Sequence, residues 1–397
     1  MTTFLIRLYG HCFVDELMLI YPFYAVMFVD DGLTPLQVST LFAAWSATTL
    51  LLEVPSGVLA DRHSRKTIMV AGAVLRATGY GCWALFPGFW GFLVGFVLWG
   101  IEGALGSGAF EALVYDELKH FGRESEYARI LGRCRSLGLI GVVVSGLIAS
   151  IAVSAGYVVL IAASSTAALV AGVLLMSLPT AAPVATVGGG GFRAYVDTLQ
   201  RGVGSVVLRR AVCHIVVFAA LARALGGTLE EYWPIFISEM GMAPFALGLF
   251  MSLMCGVQAF ASFVAHRFVD LPSRPIFAVF ALSGLLLSAA AWSMHIAAIG
   301  LILLFVFVFQ AVDIIYDARL QSAIASDHRA TASSVKSLFS EVGGIILVMS
   351  MGAIVTNGSY QIGFLWFGAA IGVIGLVFLL AGSPRLDVDA GGAEAHR

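Results

Sequence analysis

Charge is what this sequence has least of. Only 12% of its 397 residues are Asp, Glu, Lys or Arg, against roughly 25% in an ordinary soluble domain. The formal net charge is −2, so no bulk positive field is available to hold a nucleic acid. Cysteine is scarce as well. Cys12, Cys82, Cys134, Cys213 and Cys255 are scattered in or beside apolar runs, and no CxxC pair occurs. That spacing argues against a disulfide framework or a zinc site, and the five read as small apolar packing residues. The chain has no Walker loop, HExxH motif, nucleophile elbow or His-rich cluster. Without these, ATP is not expected as a direct power source, and a membrane enzyme would have no nucleophile, metal set or donor-phosphate site. No cofactor and no metal are expected.

What the chain has instead is apolar length. Apolar residues make up 59% of it, and the mean hydropathy is +0.94. A single water-facing globule cannot hide so much apolar surface, so lipid is the expected solvent. Apolar runs long enough to cross roughly 30 Å of hydrocarbon recur about twelve times. The first six are 4–29, 36–60, 67–86, 89–118, 130–153 and 157–178, and the second six are 211–238, 244–265, 275–294, 296–325, 332–355 and 362–381. The first run is too long for a signal core and lacks a basic leader and cleavage site, so no cleaved signal peptide is expected. The predicted organisation is a six-helix bundle over 1–178, a linker over 179–210, a second six-helix bundle over 211–382 and a disordered polar tail over 383–397. Within the linker, Phe192, Tyr195, Val196, Leu199, Val203, Val206 and Val207 recur at helical spacing, which suggests an amphipathic helix on the membrane surface. The mouth of the seventh span is the alternative.

Basic residues are confined to alternate loops. With both termini cytoplasmic, the inner loops and span ends hold Arg62, Arg65, Lys66, Lys119, Arg123, Arg129, Arg267 and Arg274 among others. The outer loops hold Asp30, Asp31 and Glu239 and no Lys or Arg. That bias places a multi-pass protein in the cytoplasmic membrane with both termini inside. Short matches also link the two sets of six spans. Tyr115-Asp116 recurs as Tyr316-Asp317, and Arg135-Ser136-Leu137 as Lys336-Ser337-Leu338, both at the same spacing along the chain. Duplicated halves predict this.

Charges at membrane depth are the main clue to function, since each costs about 2.5–3.5 kcal/mol at a helix centre on insertion scales. Near mid-depth lie Asp15 and Glu16 in span one, Arg76 in span three, Glu102 in span four, Arg223 in span seven and Asp313 in span ten. Glu111, Asp116, Asp317, Arg319 and Glu341 are expected nearer the inner side, and Glu230 and Glu231 nearer the outer side. Asp15 and Glu16 point about 100° apart on a helix, so one faces the interior squarely and the other faces a packed neighbour, with Arg76 as the candidate partner. A carboxylate facing a cavity can load and release a proton as the cavity changes sides. Glu111 and Asp313, on equivalent spans, are candidates for a second carboxylate pair across the interior. Among the aromatics, Tyr24, Trp45 and Trp233 are expected to line a cavity and meet an amphipathic solute. Pro22 and Pro234 can bend spans one and seven near their outer ends.

The loop after span two reads Gly57-Val58-Leu59-Ala60-Asp61-Arg62-His63-Ser64-Arg65-Lys66. Gly57 permits close helix approach. Asp61 can accept from a neighbouring helix N-terminus. Arg65 can pair with a carboxylate at the inner end of another span, Asp116 being the best placed. Together these residues form a conformational latch rather than a plain topogenic turn. The loop resembles the signature loop of the major facilitator superfamily, with Ser64 in place of the usual second Gly. The resemblance implies an all-α membrane protein with twelve helices in two pseudo-symmetric bundles, a central cavity and rocking between outward-open and inward-open states. Glu341 lies on span eleven, which flanks the cavity in that family. Span five lacks the Gly-Pro pair of many drug:proton antiporters of the family, which tells against a plain multidrug exporter. The implied activity is proton-coupled secondary transport of a small organic solute by a monomer, with protons, solute and membrane lipid as its partners. Export by antiport suits the excess of carboxylates, which lets proton and solute compete for one site. Proton-coupled import of a metabolite is the alternative within the class, and a polytopic membrane enzyme the alternative outside it.

Overall fold

The structure is a computed structural model, and it describes residues 1–179, 210–323 and 329–382. The predicted linker helix and the polar tail lie outside the described residues. Among those described, all regular structure is helical. The first half contains α1 (Thr2–Asp15), α2 (Tyr24–Asp30), α3 (Pro35–Arg62), α4 (Arg65–Leu85), α5 (Phe89–Gly106), α6 (Ala109–His120), α7 (Tyr127–Ala152) and α8 (Tyr157–Met176). The second contains α9 (Arg210–Glu239), α10 (Pro244–Ala265), α11 (Ser273–Ser293), α12 (Ile299–Ala323), α13 (Arg329–Thr356) and α14 (Tyr360–Ala381). Eleven stretches of the described residues are long and apolar enough to cross a membrane. The twelfth expected span is the first, and it falls short because it is broken.

The chain leaves helical geometry over residues 16–23, between α1 and α2. Pro22 has no N–H to give Met18 and its ring crowds that carbonyl, while Tyr21 before it is steered away from helical backbone. Pro55 and Pro234 sit inside continuous helices, so proline alone does not break a span here. At span one the neighbouring α8 supplies a substitute partner, because the Ile20 N–H donates to the Ser164 hydroxyl at 3.0 Å. Non-helical backbone at membrane depth persists only where protein satisfies it in this way. Span four is broken as well, at Ser107 and Gly108. Gly108 has φ +70°, a conformation that costs a residue with a side chain dearly. The equivalent spans of the second half, α9 and α12, run unbroken.

We call the end bearing Met1 and the α3–α4 loop proximal, and the other end distal. Distally the two halves share one apolar core, which joins Phe28, Phe42, Tyr80 and Trp83 to Tyr232, Trp233, Phe236 and Phe364. Proximally each half has its own. Phe4, Leu8, Val114, Leu118 and Ile130 form one, and Val212, Val216, Leu320 and Val335 form the other. Across the halves α3 packs on α13 and α7 on α10. The α7–α10 seam depends on glycine: a Cβ on Gly146 would come within 2.8 Å of the Gly248 carbonyl, and one on Gly248 within 2.6 Å of the Gly146 carbonyl. Such small-residue contacts let helices pack backbone to backbone in lipid. The hydrogen bonds described between the halves also lie distally. Tyr24 donates to Glu231, Ser39 and Tyr232 share a bond of 2.5 Å, and the Ser252 hydroxyl donates to the Val143 carbonyl at 3.1 Å. The molecule is therefore closed at its distal end.

Candidate functional site: the interior charges and their cavities

The break in span one sets the geometry of the site. Asp15 is the last residue of α1, and Glu16 caps it. Their side chains diverge. Asp15 forms an ion pair with Arg76 of α4, whose side chain is 5% exposed, and Glu102 of α5 lies 3.8 Å from the same guanidinium. A cation so buried needs partners, because leaving one unpaired costs about 3–5 kcal/mol. Glu16 has no ion pair or hydrogen bond among the described residues. It lies against α7 where two glycines leave room: a Cβ on Gly138 would stand 3.3 Å from Glu16 Cγ, and one on Gly141 3.1 Å from Glu16 Cβ.

Glu16 borders two cavities. The larger, about 530 Å³, reaches from mid-depth toward the proximal end and is also lined by Asp15, Glu102, Phe110, Glu111 and Arg135. The smaller, about 280 Å³, lies between the halves and brings Glu16, Tyr21 and Ser145 of the first half to Glu230, Met254 and Gln258 of the second. A third space of about 40 Å³ lies within the second half and includes Arg223, Glu230, Trp233 and Asp313. There Arg223 and Asp313 approach to 3.9 Å, and Gln258 lines the space beside Glu230.

A family model described as Major Facilitator Superfamily matches residues 16–318 of this sequence. The chain belongs to that superfamily. No curated protein sequence matches it. Solved structures share the superfamily fold over nearly the whole chain. The nucleoside transporter NupG superposes with a TM-score of 0.80 at 14% identity, covering 96% of this chain and 99% of that one. A bacterial homolog of the human lysosomal transporter Spinster, inward-facing and unoccupied, gives 0.72 at 15% identity, covering 96% and 95%. A D-xylose-proton symporter gives 0.69 at 13% identity, covering 97% and 98%. The major facilitator fold, with its two six-span halves, is therefore the architecture of this protein.

Within that fold several expectations change. Glu111 and Asp313 do not pair across the interior. Glu111 stands 3.9 Å from Arg135 of its own half and Asp313 opposite Arg223 of its own, because each acid finds a cation on the adjacent helix. Tyr24 and Trp45 line none of the three cavities. Tyr24 is buried in the distal aromatic cluster beside Phe28, Phe42 and Trp99, and Trp45 faces Trp99 at 5.6 Å. Trp233 borders only the smallest space. Arg76 is buried behind the cavity wall, and Glu341 is exposed on α13 outside all three cavities. Glu230 was expected near the outer side, yet it borders the same cavity as Glu16. The signal was present in the sequence as two acid doublets, Asp15-Glu16 and Glu230-Glu231, each followed by an aromatic and a proline. Gln258 and Ser145, polar residues inside apolar spans, were the other sign.

At the proximal end, Arg65 and Asp116 form an ion pair between α4 and α6. Both belong to the first half, so the pair ties that bundle together rather than bridging the two. The side chain of Asp61 lies outside what is described. Gly57 meets nothing: a Cβ there would have open space within 4 Å, so the close approach expected of it is not made in this conformation. In the second half Asp317 pairs with Lys336 at 2.5 Å. Arg319 instead ties α12 to the loop before α11, donating to the Val269 carbonyl at 2.9 Å and to the Ser273 hydroxyl at 2.9 Å.

Proposed function

We propose that this protein is a proton-coupled secondary transporter which moves a small organic solute across the cytoplasmic membrane by alternating access, and that Glu16 carries the proton. The observation that carries this reading is the division of labour between neighbouring acids. Asp15 is committed to Arg76, while Glu16 has no ion pair among the described residues, borders both large cavities and sits at an interrupted helix. An interrupted span at mid-membrane is where a transporter of this kind places coupling and substrate groups. The distal seal and the separate proximal cores suit an inward-open state, given the cytoplasmic termini that the basic loops favour. In the opposite state α3 and α13 would close proximally, and Gly57, Asp61 and Arg65 would then act as the latch.

Antiport is the favoured direction, because a carboxylate in the solute cavity makes proton and solute competitors. The chemistry proposed is transport rather than catalysis, with no cofactor, by a monomer in contact with lipid. The test is transport in proteoliposomes. Glu16→Gln should abolish uphill movement driven by a pH gradient while sparing downhill exchange. Undiminished pH-driven accumulation in Glu16→Gln would move coupling elsewhere, and transport driven by sodium but not by protons would end the proton mechanism. The sign of the pH gradient that drives accumulation separates export from symport.

A further inference from the structure

We propose that the cavity between the halves binds a small amphipathic organic cation, its protonated amine held between Glu16 and Glu230 with the Ser145 hydroxyl completing the site. This deepens the transport reading and rests on it for the claim that the bound molecule is carried.

The first observation is an imbalance of charge. Two carboxylates border this 280 Å³ space from opposite halves, and no Lys, Arg or His lines it. Arg76 makes its ion pairs with Asp15 and Glu102, and Arg223, which shares the third space with Glu230, makes its own with Asp313. Gln258 lines the cavity beside Glu230, and its amide supplies a dipole and no charge. An anionic ligand would be repelled from both sides. A neutral one would leave two acids in a low-dielectric space to be discharged by protonation, whereas a cation offsets their charge directly.

The second observation is independent of the acids. Ser145 is 3% exposed, lines the same cavity, and its hydroxyl has no hydrogen-bond partner among the described residues. Other serines on these helices bond back to the carbonyl four residues earlier, as Ser150 does to Gly146, Ser164 to Leu160 and Ser252 to Gly248. Ser145 does not do so toward Gly141. A buried hydroxyl left unpaired is uncommon and calls for a partner. An ammonium N–H, seated between two carboxylates, provides one.

The walls specify the rest of the ligand. Met18, Met251 and Met254 present flexible, polarisable thioethers that mould to irregular apolar shapes. The Tyr21 ring supplies an aromatic face for a cation or an apolar body. The volume lies near the lower edge of the roughly 300–1,000 Å³ of drug-sized sites, which favours a small amine.

The test uses the full chain in lipid nanodiscs and three probes that share a body and differ in their head group: 4-phenylbutylamine, 4-phenylbutanol and 4-phenylbutyrate, measured by titration calorimetry. The amine should bind at least about tenfold more tightly than the alcohol, as charge-assisted hydrogen bonds exceed neutral ones, and the butyrate should not bind measurably. Glu16→Gln and Glu230→Gln should each weaken the amine about tenfold and leave the alcohol unchanged, and Ser145→Ala should weaken the amine a few-fold. Equal affinity for amine and alcohol, no binding of the amine, or undiminished amine binding in both glutamine variants overturns the proposal. If a glutamine variant loses the alcohol too, Glu16→Asp or Glu230→Asp decides. Restored preference for the amine supports the site, and its absence overturns it. Amine flux under a pH gradient in proteoliposomes is read separately. Selective binding without flux would spare the site and sink the transport reading, whereas pH-driven flux of a neutral solute with no amine preference would do the reverse.

Discussion

Asp15 and Glu16 are adjacent in sequence, and the structure predicts opposite consequences for neutralising them. Asp15→Asn removes the negative charge in contact with Arg76, whose side chain is 5% exposed. Breaking a buried pair by removing one partner costs about 3–5 kcal/mol. Two features of this site reduce that figure. Asparagine keeps an acceptor oxygen for the guanidinium, and Glu102 at 3.8 Å remains as a second counter-charge. The expected loss is therefore about 2–3 kcal/mol, at or just below the lower bound for a broken buried pair. Glu16→Gln removes a charge that has no ion pair among the described residues and should leave stability within about 1 kcal/mol of wild type. The assay is thermal unfolding of detergent-purified protein followed by size-exclusion chromatography, with the amount of folded protein in the membrane as a second readout. A triple variant, Asp15→Asn with Arg76→Met and Glu102→Gln, removes the whole charge cluster and should recover much of the loss, since replacing a complete buried pair or triad is often close to neutral. The reasoning fails if Asp15→Asn is as stable as wild type, or if Glu16→Gln is the more damaging of the two.

Three further outcomes follow from the same geometry. Asp61→Asn and Arg65→Ala should insert normally and slow transport several-fold. The Arg65–Asp116 pair is partly exposed and contributes only about 0–1 kcal/mol to folding, so near-normal turnover at equal protein levels would reduce the loop to a topogenic turn. Cysteines at Asp30 and Ala243, both exposed and introduced once native cysteines are removed, should react with an impermeant thiol reagent in intact cells while one at His63 should not. The reverse pattern would invert the topology. Tyr24→Phe removes a hydrogen bond across the distal closure to the Glu231 carboxylate, a bond of a class worth about 1.5–3 kcal/mol. A cysteine at Ser39, buried on that seam against Tyr232, should then react about tenfold faster or more. Unchanged reactivity would show that the bond does not hold the closure.

The fold was legible because lipid imposes it locally. Span length, the confinement of Lys and Arg to alternate loops, and the loop from Gly57 to Lys66 are all properties of short stretches of chain, and each is read without knowing what packs against it. The acids at membrane depth were likewise visible from their cost alone. Their division into roles was not, because it depends on neighbours that are distant in sequence. Asp15 is paired because Arg76, 61 positions away, points at it, and Glu16, which lies against Gly138 and Gly141, has no ion pair among the described residues. Glu111 and Asp313 looked like partners by symmetry, but an ion pair forms with the nearest cation, and Arg135 and Arg223 are nearer. The break in span one is the clearest case. Pro22 is in the sequence, yet Pro55 and Pro234 leave their helices intact. The Ser164 hydroxyl, brought by α8 to the Ile20 N–H, joins the local turn bonds of Leu17, Tyr21 and Phe23 in making an interrupted backbone tolerable there, next to Glu16 at the cavity wall.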